Sequence, residues 1–117
     1  MSATRQRLFR LAVRQSGGAS DVDFELSPQA ERDFDDIMAY YTEHSSSAAA
    51  HFEVAYDELV ERLEQFPELA SRLRGPVRRA LLHDFRIGLF YVLYPDRGMI
   101  LRILHTSRST EEWPTEP

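Results

Sequence analysis

Most of the residues able to do chemistry lie in the run ILRILHTSRSTEEW, residues 100–113. A hydrophobic strand delivers His105, a short polar bend follows, and then come Arg108 and, five residues on, Trp113. An imidazole beside a guanidinium can bind a phosphate or a carboxylate; equally, a histidine there can cap the strand end through hydrogen bonds. Arg79, Arg86 and Arg102 are the further cations on the strands around it. RNA cleavage would need a base for the 2′-hydroxyl, an acid for the leaving oxygen and positive charge for the phosphorane, and these residues supply part of that set. His44 and His51, seven residues apart across a serine break, have no metal-ligand spacing and read as surface residues, and His83 at a strand end receives no role. Walker loops, dinucleotide glycine patterns, HExxH and nucleophile elbows are all absent.

Composition narrows the chemistry further. The 117 residues are 43% hydrophobic and 28% charged, which suits one domain with one core. Without cysteine there is no disulfide, thiolate zinc site, iron–sulfur cluster or cysteine nucleophile, and no cofactor is expected. No apolar stretch reaches the ~20 residues of a membrane span, and the arginine-bearing residues 1–20 lack a signal-peptide core, so a cytoplasmic protein is expected. All fourteen basic residues are arginine, as GC-rich codon usage favours. The net charge of −5 is uneven: +2 over residues 1–24, −8 over residues 25–74 and +1 over residues 75–117.

The elements that position these residues follow from periodicity. VDFEL, residues 22–26, alternates as a strand with one buried face. Ser27 and Pro28 form a helix start, a capping hydroxyl followed by proline at the first helical position, and Ala30, Phe34, Ile37 and Tyr41 carry the helix to about Thr42. Ser45 to Ser47 break it and cap a second helix, whose stripe is Phe52, Tyr56, Leu59, Leu63 and Phe66, stopped by Pro67. Asp35, Asp36, Glu53, Asp57, Glu61 and Glu64 read as the solvated outside of this helical hairpin.

Three antiparallel strands follow, VRRALLHD, FRIGLFYVLY and MILRILH, separated by His83-Asp84 and by a tight turn at Pro95-Asp96-Arg97-Gly98, where glycine would take the positive dihedral. The whole is an α+β domain of order β-α-α-β-β-β, a small antiparallel sheet with the helical hairpin on one face. Parity turns Phe85, Ile87, Leu89, Tyr91 and Leu93, with Leu101 and Ile103, towards the helices. Arg86, Gly88, Phe90 and Val92, with Ile100, Arg102 and Leu104, face away. An apolar strip without helices either binds a partner or is covered by the chain itself, through a helix of residues 4–15 or through the tail with Trp113.

In combination, the pattern S-P-x-A-x-x-D-x-x-x-I at Ser27–Ile37 and L-R-x-L-H-x-x-R at Leu101–Arg108 resembles the ParE/RelE toxin superfamily of bacterial toxin–antitoxin modules, also called plasmid stabilization proteins. The resemblance covers residues 22–113 and implies the same compact fold. It implies one of two activities: RelE-like cleavage of messenger RNA on the ribosome, or ParE-like poisoning of DNA gyrase. Arg108 matches a functional RelE arginine and Arg79 falls near a RelE lysine. However, Gly88 stands where the strand arginine belongs, Leu81 occupies another lysine position, and Trp113 only approximates the tyrosine. With an acidic net charge as well, the resemblance is closer to ParE, for which a non-enzymatic toxin is expected. It also implies a cognate antitoxin, expected on Phe90, Val92, Ile100 and Leu104, with a relic that keeps only partner binding as a further alternative. Residues 1–21 fall outside the pattern and read as out-of-register residues from a start placed too early, or as an arginine-bearing arm. Residues 114–117 read as a loose tail.

Overall fold

Ser27 sets the first helix. Its extended backbone leaves the hydroxyl free to accept from the Ala30 N–H at 3.0 Å, and Pro28 opens helix α1 (Pro28–His44), which runs two residues past the expected end. In this computed structural model, which describes residues 22–82, 84–107 and 113–114, Ser45 repeats the device for helix α2 (Ser46–Gln65), accepting from the Ala48 N–H at 3.2 Å. The helices pack antiparallel through rings: Phe34 meets Tyr56 at 4.8 Å, and Tyr41 meets Phe52 at 5.9 Å.

Two expectations for α2 fail at its end. Phe66 lies just past the last turn and is 59% exposed, outside the core stripe. Glu64, expected on the solvated surface, is buried, because the start of the first strand folds against it and the Val22 N–H donates to the Glu64 carbonyl at 3.0 Å.

The sheet has five strands in the order β1-β5-β4-β3-β2: β1 (Asp23–Leu26), β2 (Arg72–Arg74), β3 (Val77–Leu81), β4 (Ile87–Leu93) and β5 (Arg97–His105). It is antiparallel except for β1, which pairs parallel with β5. The short edge strand β2 lies between the second helix and VRRALLHD, where the sequence predicts no element. Its turn to β3 places Gly75 at φ 50°, and the turn after β3 holds Asp84 at φ 71°, a conformation that aspartate tolerates better than most residues.

Central β4 follows parity: Ile87, Leu89 and Tyr91 join the helix-side core, and Phe90 and Val92 lie on the second face. In β5 parity fails. Phe90 pairs with Arg102 but Tyr91 pairs with Ile100, so Leu101 is the extra residue of a bulge and the side chains before it change faces. Ile100 is therefore fully buried in the helix-side core, and Leu101 packs on the second face, the reverse of the sequence expectation. The β4–β5 turn is tighter than expected, closed by the Tyr94 N–H donating to the Arg97 carbonyl at 2.7 Å. Gly98 is already within β5, paired with Phe24, and a Cβ there would collide with the Phe24 ring. Close approach, and no positive dihedral, requires glycine at this position.

Candidate functional site

On the second face, Val77, Phe90, Val92 and Leu104 form a small buried cluster, edged by Leu73, Tyr94, Met99, Leu101 and Trp113. The chain covers this face in part with its own tail. The Trp113 ring lies 5.5 Å from the Phe90 ring, and the guanidiniums of Arg79 and Arg74 stand 4.9 Å and 5.9 Å from the indole centroid. Cation–π attraction is strongest on tryptophan, so both arginines hold the indole and the indole holds them. Gly88 makes room for this arrangement: a Cβ there would come within 3.2 Å of the Arg79 Cγ. The stem of Arg79 thus runs over the position where the RelE-like pattern would have a strand arginine. Sequence reasoning singled out Arg79 and Trp113 but missed Arg74, whose signal was the arginine spacing of RLRGPVRR.

Arg102 is elsewhere. Instead of facing the open side, it reaches α1 and donates to Asp33 through Nε at 2.7 Å and through a terminal nitrogen at 3.1 Å, while the Ile103 N–H donates to the same carboxylate at 3.0 Å. The Ser27 N–H donates to the Ile100 carbonyl and the Ser27 hydroxyl to the Leu101 carbonyl, each at 2.9 Å. Fully buried Ala30 lets α1 sit close. Ser27, Ala30 and Asp33 of the S-P-x-A-x-x-D pattern therefore tie α1 to the bulged part of β5, and Asp33, present in the sequence pattern without a partner, has a structural role. Arg102, next to the bulge, reaches the helix layer, where the Asp33 carboxylate accepts from it.

His105 is exposed at the end of β5, and its Nδ1 faces the Ser107 hydroxyl at 2.7 Å and the Ser107 N–H at 3.3 Å. These bonds match the capping alternative. The ring borders a depression of about 360 Å³ lined by Asp36, Ile37, Tyr40, Tyr41 and Ile87, on the helix side. Burial, with a smaller contribution from neighbouring Tyr40, raises the pKa of the Tyr41 phenol above its ordinary value. Arg86 is exposed just before β4, and its carbonyl accepts from the Thr106 N–H at 2.8 Å. Arg108 lies outside the described residues, as do His83 and residues 1–21 and 115–117, so the His105–Arg108 pairing and the reading of residues 1–21 stay as expectations. His44 Nδ1 lies 2.7 Å from the Tyr40 carbonyl, and His51 lies 3.7 Å from Asp84, both at the surface. Among the described residues no cluster of His, Cys, Asp or Glu is arranged to hold a metal ion, and no helix is long and apolar enough to cross a membrane.

The described candidates are thus dispersed. Arg79 and Trp113 share the second face, Arg102 is bound into the helix layer, and His105 borders the helix side of the sheet.

Comparison with known proteins agrees with this architecture. A solved structure described as the chromosomal ParDE TA system from P. aeruginosa superposes with a TM-score of 0.64 at 21% identity, covering 74% of this chain and 98% of the other. That likeness shows the fold. No curated protein matches the sequence. The family model for the ParE toxin of the type II toxin-antitoxin system, parDE, matches residues 24–110. With most of its length so matched, the chain belongs to the ParE toxin family.

Proposed function

We propose that this type II toxin acts in the cytoplasm by binding and poisoning DNA gyrase, makes and breaks no bond itself, and is neutralised by a cognate antitoxin on the second face of its sheet. The dispersal of the cationic and imidazole groups carries this reading. General acid–base cleavage of RNA requires its groups within hydrogen-bond reach of one phosphate, and Arg79 is on the second face while Arg102, held by Asp33, and His105, bordering a depression, are on the helix side. The net charge of −5 adds to it, since affinity for ribosomal RNA is largely phosphate electrostatics.

Of the four residues expected to bind the antitoxin, Phe90, Val92 and Leu104 are on the second face and Ile100 is not. The three are buried, so their charged variants would report on folding as well as on docking. Half-buried Met99 and Leu101 are the better probes of the same surface. The deciding experiment for the target is a pair of assays on purified protein. Inhibition of gyrase supercoiling without cleavage of a message in a purified translation system is expected. Ribosome-dependent cleavage at normal gyrase activity would establish the RelE-like alternative, and inactivity in both, with antitoxin binding kept, would mark a relic.

A further inference from the structure

The chain's single tryptophan covers the second face and is incompletely satisfied there. Its ring rests on Phe90 with the guanidiniums of Arg79 and Arg74 at 4.9 and 5.9 Å, yet its buried Nε1–H meets no hydrogen-bond acceptor among the described residues. An unmet buried donor is a standing cost to the closed arrangement. The indole also shows what the site fits: a flat apolar group against Phe90, within reach of positive charge. Arg74 and Arg79 bring their guanidiniums to this face, whereas Arg78 pairs with helix-side Tyr91 and donates to the Ala70 carbonyl; residues 69–82 contain no acid. The helical layer is the opposite, with ten acids and two arginines in α1 and α2. An acidic segment is therefore repelled from the helices and drawn to the arginine side.

We propose that Trp113 is an internal stand-in for an antitoxin side chain: the docking antitoxin segment has a large apolar or aromatic anchor beside a carboxylate, displaces the indole from Phe90 and takes over Arg74 and Arg79. This rests on the reading that the antitoxin occupies the second face, and it adds the chemistry of the occupant and the competition it must win. A partner that must first expel Trp113 binds with an apparent affinity lowered by the fraction of molecules in which the face is open.

The test begins with 8-anilinonaphthalene-1-sulfonate, an aromatic anion with the proposed chemistry. One saturable site is expected on Trp113→Ala, bound at least about tenfold more tightly than by the wild type, because the competitor is gone. Adding Arg79→Gln should weaken that site by about fivefold or more through loss of a charge-assisted contact. Equal affinity for wild type and Trp113→Ala, or indifference to Arg79→Gln, overturns the proposal. If the alanine variant loses its cooperative melt, the wild type labelled with 5-fluorotryptophan decides. Its one ¹⁹F resonance moves to the solvent-exposed position as the sulfonate is added if the ring is displaced, and stays in place if the proposal is wrong. The antitoxin itself separates the two layers of inference. Tighter binding to Trp113→Ala supports displacement; equal or weaker binding overturns displacement and leaves the antitoxin reading standing; binding to neither protein overturns both.

Discussion

On the helix side of the sheet, Leu89 and Tyr91 pack beneath Phe34, Phe52 and Tyr56, rings carried on two capped helices that the chain builds in one continuous run. On the opposite side their chain neighbours Phe90 and Val92 pack beneath one tryptophan near the end of the chain, with two arginines to hold it. The first cover is redundant: removing any one ring leaves others in contact with the strand. Among the described residues the second rests on Trp113 with Leu73, Tyr94, Met99 and Leu101 around it, and loss of the indole would uncover part of a ready-made apolar surface. Stability thus belongs to the helix side and exchangeable contact to the second face, a division that suits the neutralisation proposed above.

The largest effect that could break this comparison comes from neighbouring residues of β5. Ile100 is fully buried on the helix side, and Ile100→Ala should cost ~2–5 kcal/mol, read as a lower denaturation midpoint. Leu101 is half-buried on the second face, and Leu101→Ala should cost ~1 kcal/mol and weaken antitoxin binding instead. Plain alternation would give the reverse order. Chemical denaturation of both variants decides, and a larger loss at Leu101 would mean that β5 has no bulge.

That reversal also marks how far the sequence could be read. Helix starts were legible because Ser27-Pro28 and Ser45 are local signals, and β4 was legible because its alternation has no interruption. The run Ile100, Leu101, Arg102, Ile103, Leu104 is different: apolar residues occupy both parities, so either register fills the core. What selects the bulged register is Asp33, 69 residues away in the chain, which accepts from both Arg102 and Ile103. Strand β2 was missed because three residues are too few to show a period. The sequence reads Gly98 as a turn glycine with a positive dihedral, whereas glycine is required there by Phe24, which comes from a strand far away in the chain. On the second face, the apolar strip of Phe90, Val92 and Leu104 was legible from alternation, whereas the pairing of Arg74 and Arg79 with Trp113 joins distant parts of the chain and left no local signal.

A smaller effect sharpens the assignment of Arg102. The ion pair with Asp33 is partly buried, with side-chain exposures of 28% and 14%, and is bidentate. Arg102→Ala and Asp33→Ala should each cost ~1–3 kcal/mol, with the aspartate change the worse of the two because it also strands the Ile103 N–H. The double variant should be clearly less destabilised than the sum, a coupling of ~0.5–3 kcal/mol in a thermodynamic cycle. Additive losses would mean that the two residues act separately. Toxicity lost in Arg102→Ala at unchanged stability would return the arginine to the target-contact set.

The smallest expected effect concerns pH, and it too belongs to the helix side. The Tyr91 hydroxyl donates to the Pro67 carbonyl at 2.8 Å, and burial raises the phenol's pKa above its ordinary value, outweighing the favourable influence of the Ala70 backbone and Arg78. The folded protein therefore keeps this proton at pH values where the unfolded chain has released it. Stability from this group is complete below the unfolded pKa of about 10 and falls as pH rises from there through the folded value, by at most about 1.4 kcal/mol per pH unit for one proton. Tyr41, also raised, adds a decline in the same direction. Tyr91→Phe should lose ~1 kcal/mol at neutral pH with the hydrogen bond to Pro67, yet show a flatter decline above pH 10, so that the two stability curves converge as pH increases. Urea midpoints measured between pH 8 and about 11.5 would trace both curves. Parallel curves would mean that the Tyr91 hydroxyl is open to water and that the core beneath the helices is looser than its packing indicates.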